Sequence, residues 1–276
     1  MSPAAAPVRD ALDSAMIALR AAGVDTPRLD AEVLLAHVLG VDRAALVMDR
    51  ERPVQGAAVR AYQDAVRRRA IAREPVAYIT GTKGFRHLDL AVDPRVLIPR
   101  PETETLVEAA VAELARGARV ADVGTGSGAI ALALADERPD LDVVATDVSE
   151  DALAVARANA ARLGLAVAFV RGDLLDGAGR VDAVLSNPPY VEDGAPLAPE
   201  IDRHEPALAL RAGPDGLAVV RRLVAAAAAA DAAFLGVEVG AGQAADVQAL
   251  ARADGFARTA ARRDLAGIER VVLAWR

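Results

Sequence analysis

The residues of this chain best suited to chemistry form the run Ser186-Asn187-Pro188-Pro189-Tyr190. Each proline lacks a backbone N–H, has a fixed φ and restricts the residue before it, so this turn is stiff. In a stiff turn, the Asn187 side-chain oxygen and the Pro188 carbonyl could each accept a hydrogen bond from one planar nitrogen. The lone pair of such a nitrogen is delocalised, and two acceptors would favour the pyramidal, charged geometry of its alkylation. We therefore predict that Asn187, Pro188 and Tyr190 are catalytic, and that Pro189 binds substrate with them.

A glycine-rich turn, Gly124-Thr125-Gly126-Ser127-Gly128, directly follows an apolar run at residues 120–123. Glycines allow a sharp turn and let a ligand approach the backbone closely. The spacing G-x-G-x-G differs from the dinucleotide fingerprint G-x-G-x-x-G, and the Gly-Lys-Ser/Thr of a P-loop does not follow. It resembles the first motif of class I methyltransferases, whose cofactor has no phosphate. We therefore predict that all five residues bind cofactor.

Two further acidic residues stand where predicted strands end. Asp147 follows the second strand and could accept hydrogen bonds from both hydroxyls of a ribose, which suits NAD and S-adenosylmethionine equally. After the third strand, Asp173 could accept from an adenine amino group while Leu174 packs on the ring. Either carboxylate alone could equally cap a helix. Together with the glycine-rich turn they indicate a cofactor site, with Asn187 at its methionine end.

Apolar runs that alternate with helical segments from about residue 103 onward predict the scaffold for these turns. Continuous apolar strands separated by helices indicate a largely parallel sheet that is buried on both faces. The predicted strands are residues 120–123, 143–146, 167–170, 183–185, 234–239 and 271–274. The predicted helices between them are residues 129–136, 151–163, 217–230 and 244–253.

The pattern before residue 103 differs and predicts two further regions. Residues 1–73 show helical spacing, with helix starts at Asp10 and at Thr26-Pro27, and they predict a small helical bundle for recognition. Residues 74–102 are interrupted by glycine and proline and predict a hairpin connector. Residues 103–276 would then form the catalytic domain.

Composition excludes several classes of function. The 276 residues include no cysteine, which excludes disulfides, thiolate metal sites and a cysteine nucleophile, and no metal site is predicted. The formal net charge of −7 argues against a direct nucleic-acid partner. The one dense basic cluster, Arg67, Arg68, Arg69 and Arg73, is interpreted as a solvated helix face. Since signal-peptide and membrane-spanning patterns are also missing from the sequence, we expect a cytoplasmic protein with no membrane partner.

Over nearly its whole length, the chain resembles the HemK/PrmC family of release factor glutamine N5-methyltransferases. The resemblance is carried by residues 74–81, 96–104, 122–128, 146–149, 186–191, 204–208, 213–217, 238–240, 263–267 and 270–272. It implies a class I S-adenosylmethionine-dependent methyltransferase fold, which is Rossmann-like with a mostly parallel seven-stranded sheet. It also implies S-adenosylmethionine as cofactor and the glutamine of a Gly-Gly-Gln loop in class I peptide chain release factors as substrate. The N-terminal bundle would then dock the release factor. Leu174 departs from the pattern, because many relatives have an aromatic residue there.

Some alternatives stay open at this point. Asn-Pro-Pro-Tyr also occurs in enzymes that methylate an exocyclic amino group of a nucleic acid base or a ribosomal protein glutamine, and a cofactor-binding module without catalysis is a further possibility. Arg100 and Glu102 are secondary candidates for closing over the site. The three histidines, His37, His87 and His204, are not expected to take part in the chemistry.

Overall fold

The computed structural model describes residues 6–276, which form two compact units. The first unit comprises residues 6–81 and the later segment Ala198–His204, and the second comprises Thr82–Leu197 and Glu205–Arg276. The first unit therefore extends beyond residue 73, where the sequence predicted its boundary. The segment predicted as a connector is divided between the two units.

The first unit is helical, with one small pair of strands. β1 (Ala6–Pro7) pairs antiparallel with β2 (Pro53–Val54). The helices are α1 (Val8–Ala21), α2 (Pro27–Leu39), α3 (Arg43–Met48), α4 (Ala57–Arg67) and α5 (Val76–Thr80), and α4 continues into a π-helical turn at Arg68–Ala72. The predicted helix start at Thr26-Pro27 is confirmed, with Pro27 in the first turn as its fixed φ favours. The start predicted at Asp10 lies two residues late.

Buried ion pairs join the later segment of the first unit to the π-helical turn. Arg69 is buried and donates to Asp30 at 2.7 Å and to Glu200 at 3.2 Å. Arg73 donates to the same Glu200 carboxylate at 2.9 Å. The interpretation of the basic cluster as a solvated face is therefore wrong for Arg69. Its charge is used inside the first unit, because a buried guanidinium needs carboxylate partners.

The second unit begins with a hairpin and continues as alternating strands and helices. The hairpin consists of β3 (Thr82–Phe85) and β4 (Leu88–Ala91). There follow α6 (Pro101–Glu113), β5 (Arg119–Val123), α7 (Ala129–Glu137), β6 (Asp142–Asp147), α8 (Glu150–Leu163), β7 (Ala168–Arg171), β8 (Ala183–Ser186), α9 (Ala218–Ala229), β9 (Phe234–Glu238), α10 (Ala244–Ala253), β10 (Arg258–Arg263) and β11 (Glu269–Trp275).

The sheet of the second unit is mixed and mostly parallel. Its order is β10-β11-β9-β8-β5-β6-β7, with β9 to β7 parallel and β11 antiparallel to both of its neighbours. Val120 and Ala121 are both fully buried in different core clusters, which shows that β5 is covered on both faces. This is the class I methyltransferase fold that the sequence predicted, with a helical first unit.

The strand order reverses between β5 and β8. In an open α/β sheet, ligands bind beyond the carboxyl ends of the strands at such a reversal. Gly124 follows β5 and Asn187 follows β8, so the two predicted motifs emerge side by side at this point. Within residues 6–276, no helix combines the length and the apolar character that a membrane crossing requires.

Candidate active site

The glycine-rich turn contributes two of its residues to the crevice wall. Gly124 and Gly126 line a cavity and have φ values of 71° and 56°, in the left-handed region that favours glycine. A Cβ at either position would have no heavy atom within 4 Å, so it would occupy the open space of the crevice. Gly128 instead is the N-cap residue that precedes α7, with φ 87°, and a Cβ there would lie 2.9 Å from Leu132 Cδ1. Gly128 therefore serves close packing of the helix.

The other two residues of the turn support it from behind. Thr125 is buried, and its hydroxyl donates to Asp122 Oδ2 at 2.6 Å; the Ala131 N–H donates to the same oxygen at 3.1 Å. Ser127 is buried, and its carbonyl accepts from Asn159 Nδ2 at 3.0 Å. Burial raises the pKa of Asp122 to about 7. Neither Thr125 nor Ser127 belongs to the cavity lining, so a direct cofactor contact by these two residues stays a prediction.

Asp147 stands at the carboxyl end of β6 and lines the same cavity. Its Oδ2 accepts from the Gly126 N–H at 3.0 Å, and its Oδ1 accepts from the Ser149 N–H at 2.9 Å. Burial raises its pKa above the ordinary value, and the backbone hydrogen bonds oppose that shift. A carboxylate oxygen has two lone pairs, so each oxygen keeps one for a further donor. The carboxylate therefore keeps acceptor capacity, and its contact with the two ribose hydroxyls stays a prediction.

Asp173 and Leu174 follow β7 and also line the cavity. The Asp173 carboxylate is half exposed and forms an ion pair with Arg222. Leu174 has φ 53°, which is uncommon for a residue with a side chain, and its carbonyl accepts from the Thr146 hydroxyl at 2.6 Å. The backbone is thus fixed where an adenine ring is expected. Acceptance of an amino group by Asp173 stays a prediction.

The cavity has a volume of about 410 Å³, within the range of small-molecule sites. Its lining is mainly apolar and includes Gly124, Gly126, Asp147, Leu174, Asn187 and Pro188. This lining fits S-adenosylmethionine. The two glycines leave open space beside the backbone, and the Asp147 carboxylate keeps lone pairs for further donors. Among the residues that the structure describes, no cluster of three or more His, Asp or Glu side chains could hold a metal ion.

Asn187 brings an unpaired acceptor to this cavity. The Ser186 hydroxyl donates to the Val123 carbonyl at 2.7 Å and so ties the end of β8 to the end of β5. The Asn187 amide nitrogen donates to the Thr103 hydroxyl at 3.1 Å. The amide oxygen of Asn187 is buried, and it has no hydrogen-bond partner among residues 6–276. An unpaired buried acceptor costs about 1–3 kcal/mol, which an arriving N–H donor would recover.

The rest of the segment is held firmly. Pro188 and Pro189 line the cavity. The Tyr190 hydroxyl donates to Glu238 Oε1 at 3.3 Å, and the Tyr190 carbonyl accepts from Gln243 Nε2 at 3.1 Å. Burial raises the pKa of Tyr190. Tyr190 is thus fixed at both its hydroxyl and its backbone, and its predicted role in catalysis and substrate binding stays a prediction.

Two residues beside Asn187 were not among the predicted site residues. Thr103 and Glu238 are buried, and the Thr103 hydroxyl donates to Glu238 Oε2 at 2.5 Å. Burial raises the pKa of Glu238 to about 7, with the nearby charge of Glu102 acting in the same direction. Both positions lie in segments that carry the family resemblance, and this was the available signal. Their side-chain contact depends on the fold.

Arg100, one of the two secondary candidates, and His204 contact other groups. Arg100 forms an ion pair with the buried Glu205 at 2.6 Å, and Glu205 also accepts from the Ile98 N–H at 3.2 Å. Arg100 thus helps to fix the loop that precedes α6. In the first unit, the His204 ring contacts the Ala72 carbonyl at 2.8 Å, and His204 is absent from the cavity lining.

Comparisons with known proteins agree with this geometry. The family described as PrmC N-terminal domain matches residues 10–81, and the family described as methyltransferase small domain matches residues 101–232. The chain is 46% identical to the release factor glutamine methyltransferase of Mycolicibacterium smegmatis, over 98% of both chains. It is 45% identical to the release factor glutamine methyltransferase of Deinococcus radiodurans, again over 98% of both.

Solved structures with low identity share the fold. The catalytic domain of hMettl16, in complex with a MAT2A 3′UTR hairpin, aligns with a TM-score of 0.54 at 16% identity and covers 82% of this chain and 84% of that one. The ribosomal protein L11 methylase of Lactobacillus delbrueckii subsp. bulgaricus aligns with a TM-score of 0.50 at 18% identity and covers 71% of this chain and 99% of that one. At such identities the likeness shows the fold alone.

Proposed function

Because the chain belongs to the family of release factor glutamine methyltransferases, we propose that it methylates the glutamine of the Gly-Gly-Gln loop in class I peptide chain release factors. The reaction would transfer a methyl group from S-adenosylmethionine to the side-chain amide nitrogen of that glutamine. The observation that best supports this proposal is the buried, unpaired amide oxygen of Asn187 in the wall of the cavity.

The proposed task of Asn187 is to bind and polarise the substrate amide. Its free oxygen accepts one N–H of the glutamine carboxamide, and the carbonyl of Pro188 is the second acceptor. Two acceptors on one NH₂ group hold the nitrogen in line with the methyl group and stabilise the positive charge that develops there. Since the methylated nitrogen becomes acidic, a strong general base is unnecessary.

The proposed task of the glycine-rich turn and of Asp147 is to hold the cofactor. When bound, S-adenosylmethionine supplies an electrophilic methyl group on a sulfonium. The glycines leave room for it to lie against the backbone of β5, and Asp147 accepts from the two ribose hydroxyls. Leu174 offers an apolar surface for the adenine ring.

The proposed task of the helical first unit is to dock the release factor. Exposed apolar side chains on this unit are candidates for the contact, because removing apolar surface from water favours protein–protein association. Three of them are Ile17, Met48 and Ile71, with exposed fractions of 70%, 87% and 75%.

The proposal is tested by incubating the protein with labelled S-adenosylmethionine and a class I release factor from a strain that lacks the enzyme. The expected result is one methyl group, located by mass spectrometry on the Gly-Gly-Gln glutamine. A release factor with that glutamine changed to alanine is the matched control and should stay unlabelled. Ribosomes and total RNA are offered in parallel, and label on a ribosomal protein or on RNA in place of the release factor would contradict the proposal.

A further inference from the structure

A continuous chain of polar groups runs behind the predicted substrate-binding turn. The Asn187 amide nitrogen donates to Thr103 Oγ1 at 3.1 Å, and Thr103 Oγ1 donates to Glu238 Oε2 at 2.5 Å. The Tyr190 hydroxyl donates to the other oxygen of Glu238 at 3.3 Å. Thr103 and Glu238 have exposed fractions of 3% and 1%, so water is not a ready substitute for these partners.

The direction of each hydrogen bond follows from the donors and acceptors available. An ionised carboxylate only accepts, so Glu238 requires the single hydroxyl proton of Thr103. The Thr103 oxygen is then left with lone pairs alone, and its neighbour must donate to it. Asn187 can donate only with its NH₂ group, which turns its amide oxygen away from Thr103. That oxygen is buried and has no hydrogen-bond partner among residues 6–276.

We propose that Thr103 and Glu238 are positioning residues that fix which end of the Asn187 carboxamide faces the substrate. This inference rests on the proposed function, because it takes Asn187 to be the acceptor for the substrate amide. In the opposite orientation Asn187 would present an NH₂ group to another NH₂ group, and the substrate nitrogen could not bind. Asparagine alone does not select one orientation, since its two ends have nearly the same shape. The selection comes from Glu238 through Thr103.

The charges around Glu238 make this selection sensitive to pH. The groups that face Glu238 come from three elements: Glu102 and Thr103 lie on α6, Tyr190 follows β8, and Arg270 lies on the neighbouring strand β11. The charge of Glu102 repels a negative Glu238, and the charge of Arg270 attracts it. Burial dominates and raises the pKa of Glu238 to about 7. Above that pH the carboxylate enforces one orientation. Below it, a protonated Glu238 can donate to Thr103 or accept from it, so both orientations of Asn187 become accessible.

The first test removes only the hydroxyl. Thr103→Val keeps the shape of the side chain, and Thr103→Ser keeps the hydroxyl, so they form a matched pair. We expect Thr103→Val to lower kcat about 10-fold, the scale of one hydrogen bond, with unchanged S-adenosylmethionine affinity. Thr103→Ser should stay close to wild type. If the two variants have equal kcat, whether high or low, the positioning role of Thr103 is wrong.

The second test follows the charge. With saturating cofactor, kcat of the wild type should rise between about pH 6 and 8 as Glu238 ionises. Glu238→Gln has no charge to gain, so its kcat should lack the part of this rise that is due to Glu238. At about pH 8 its kcat should therefore stay several-fold below that of the wild type. A wild type without such a rise, or a Glu238→Gln variant that keeps the whole of it, would overturn the role of Glu238. Asp122 also titrates near this range. The difference between the kcat–pH profiles of the wild type and Glu238→Gln therefore isolates the effect of Glu238.

The two proposals fail in different ways. If wild-type protein leaves the release factor unmethylated and labels another acceptor, the proposed substrate is wrong, and the Thr103 pair can still be compared on that acceptor. If wild-type protein methylates the release factor glutamine and the Thr103 pair behaves alike, the substrate stands and the positioning inference fails.

Discussion

Replacing Asn187 with aspartate tests the reasoning about this site most sharply. Aspartate keeps the shape of asparagine and keeps oxygen acceptors, so a role limited to acceptance predicts a tolerated change. The structure predicts otherwise, because the amide nitrogen already donates to Thr103 at 3.1 Å and the Thr103 proton is committed to Glu238. In Asn187→Asp two carboxylates would compete for one hydroxyl proton.

The size of this conflict follows from the geometry. Two negative charges about 5 Å apart repel each other by about 3 kcal/mol at an effective dielectric constant of ~20. That energy corresponds to a rise of about 2 pH units in the pKa of one carboxyl group. Once protonated on the side facing Thr103, the new carboxyl group would donate as the asparagine amide does and would leave its other oxygen free to accept.

The expected result is therefore a reversed pH dependence. Asn187→Ala should lower kcat by about 10²-fold or more, the loss typical of a preorganised electrostatic contact. Asn187→Asp should be nearly as impaired at about pH 8 and should recover activity toward about pH 6, whereas wild-type kcat falls over that range. The assay is transfer of labelled methyl to release factor with saturating S-adenosylmethionine, and calorimetry confirms that each variant still binds cofactor. Wild-type activity of Asn187→Asp at pH 8, or a profile parallel to wild type, would refute the reasoning.

Three further predictions concern the cofactor, stability and docking. Asp147→Ala should weaken S-adenosylmethionine binding in calorimetry by about 1.5–3 kcal/mol, the range for a charge-assisted hydrogen bond. The wild type should show no saturable binding of NAD in the same assay. An unchanged affinity of Asp147→Ala for S-adenosylmethionine would exclude the ribose contact. The raised pKa of Asp122 means that the native state binds the proton more tightly, so this group should destabilise the wild type by up to ~4 kcal/mol as pH rises from about 4 to about 7. Asp122→Asn should remove that part of the slope in urea unfolding, and a slope equal to wild type would contradict the burial argument. Ile71→Asp should raise the KM for release factor several-fold with unchanged cofactor affinity, whereas Leu265→Asp, on the other unit and more exposed still (106% against 75%), should leave that KM unchanged. Equal KM values for the two variants would argue against docking at Ile71.

Much of the second unit could be predicted from sequence, because its central strands are buried on both faces and therefore appear as continuous apolar runs. All six predicted strands are present, with ends that differ by a residue or two. The strand Arg258–Arg263 was not predicted, since it is an edge strand with the sequence Arg-Thr-Ala-Ala-Arg-Arg and lacks an apolar run. Helix Pro101–Glu113 was not predicted either: its first two residues were assigned to the connector, and residues 103–113 were given no element.

The extent of the first unit could be predicted from sequence only in part. Helical spacing predicted that residues 1–73 are helical, but no local pattern indicates that Ala198–His204 belongs to this unit. Glu200 joins it through Arg69 and Arg73, which stand 131 and 127 residues earlier in the chain. When the acidic partners of a basic run come from distant segments, the sequence around the run does not show them, and the run is interpreted as solvent-exposed.

The types of side chain at the site and the turns that carry them could be derived from the amino-acid sequence alone. The glycine spacing, the two prolines and the acidic residues at strand ends are local features, so their consequences for φ, hydrogen bonding and cofactor class could be derived without a fold. The Asn187 carboxamide, in contrast, takes its orientation from the tertiary structure. Its orientation depends on Thr103, 84 residues earlier, and through it on Glu238, which stands 135 residues beyond Thr103. Hydrogen-bond direction is a property of the whole buried network, and the network exists only where the strand order of the sheet brings these segments together.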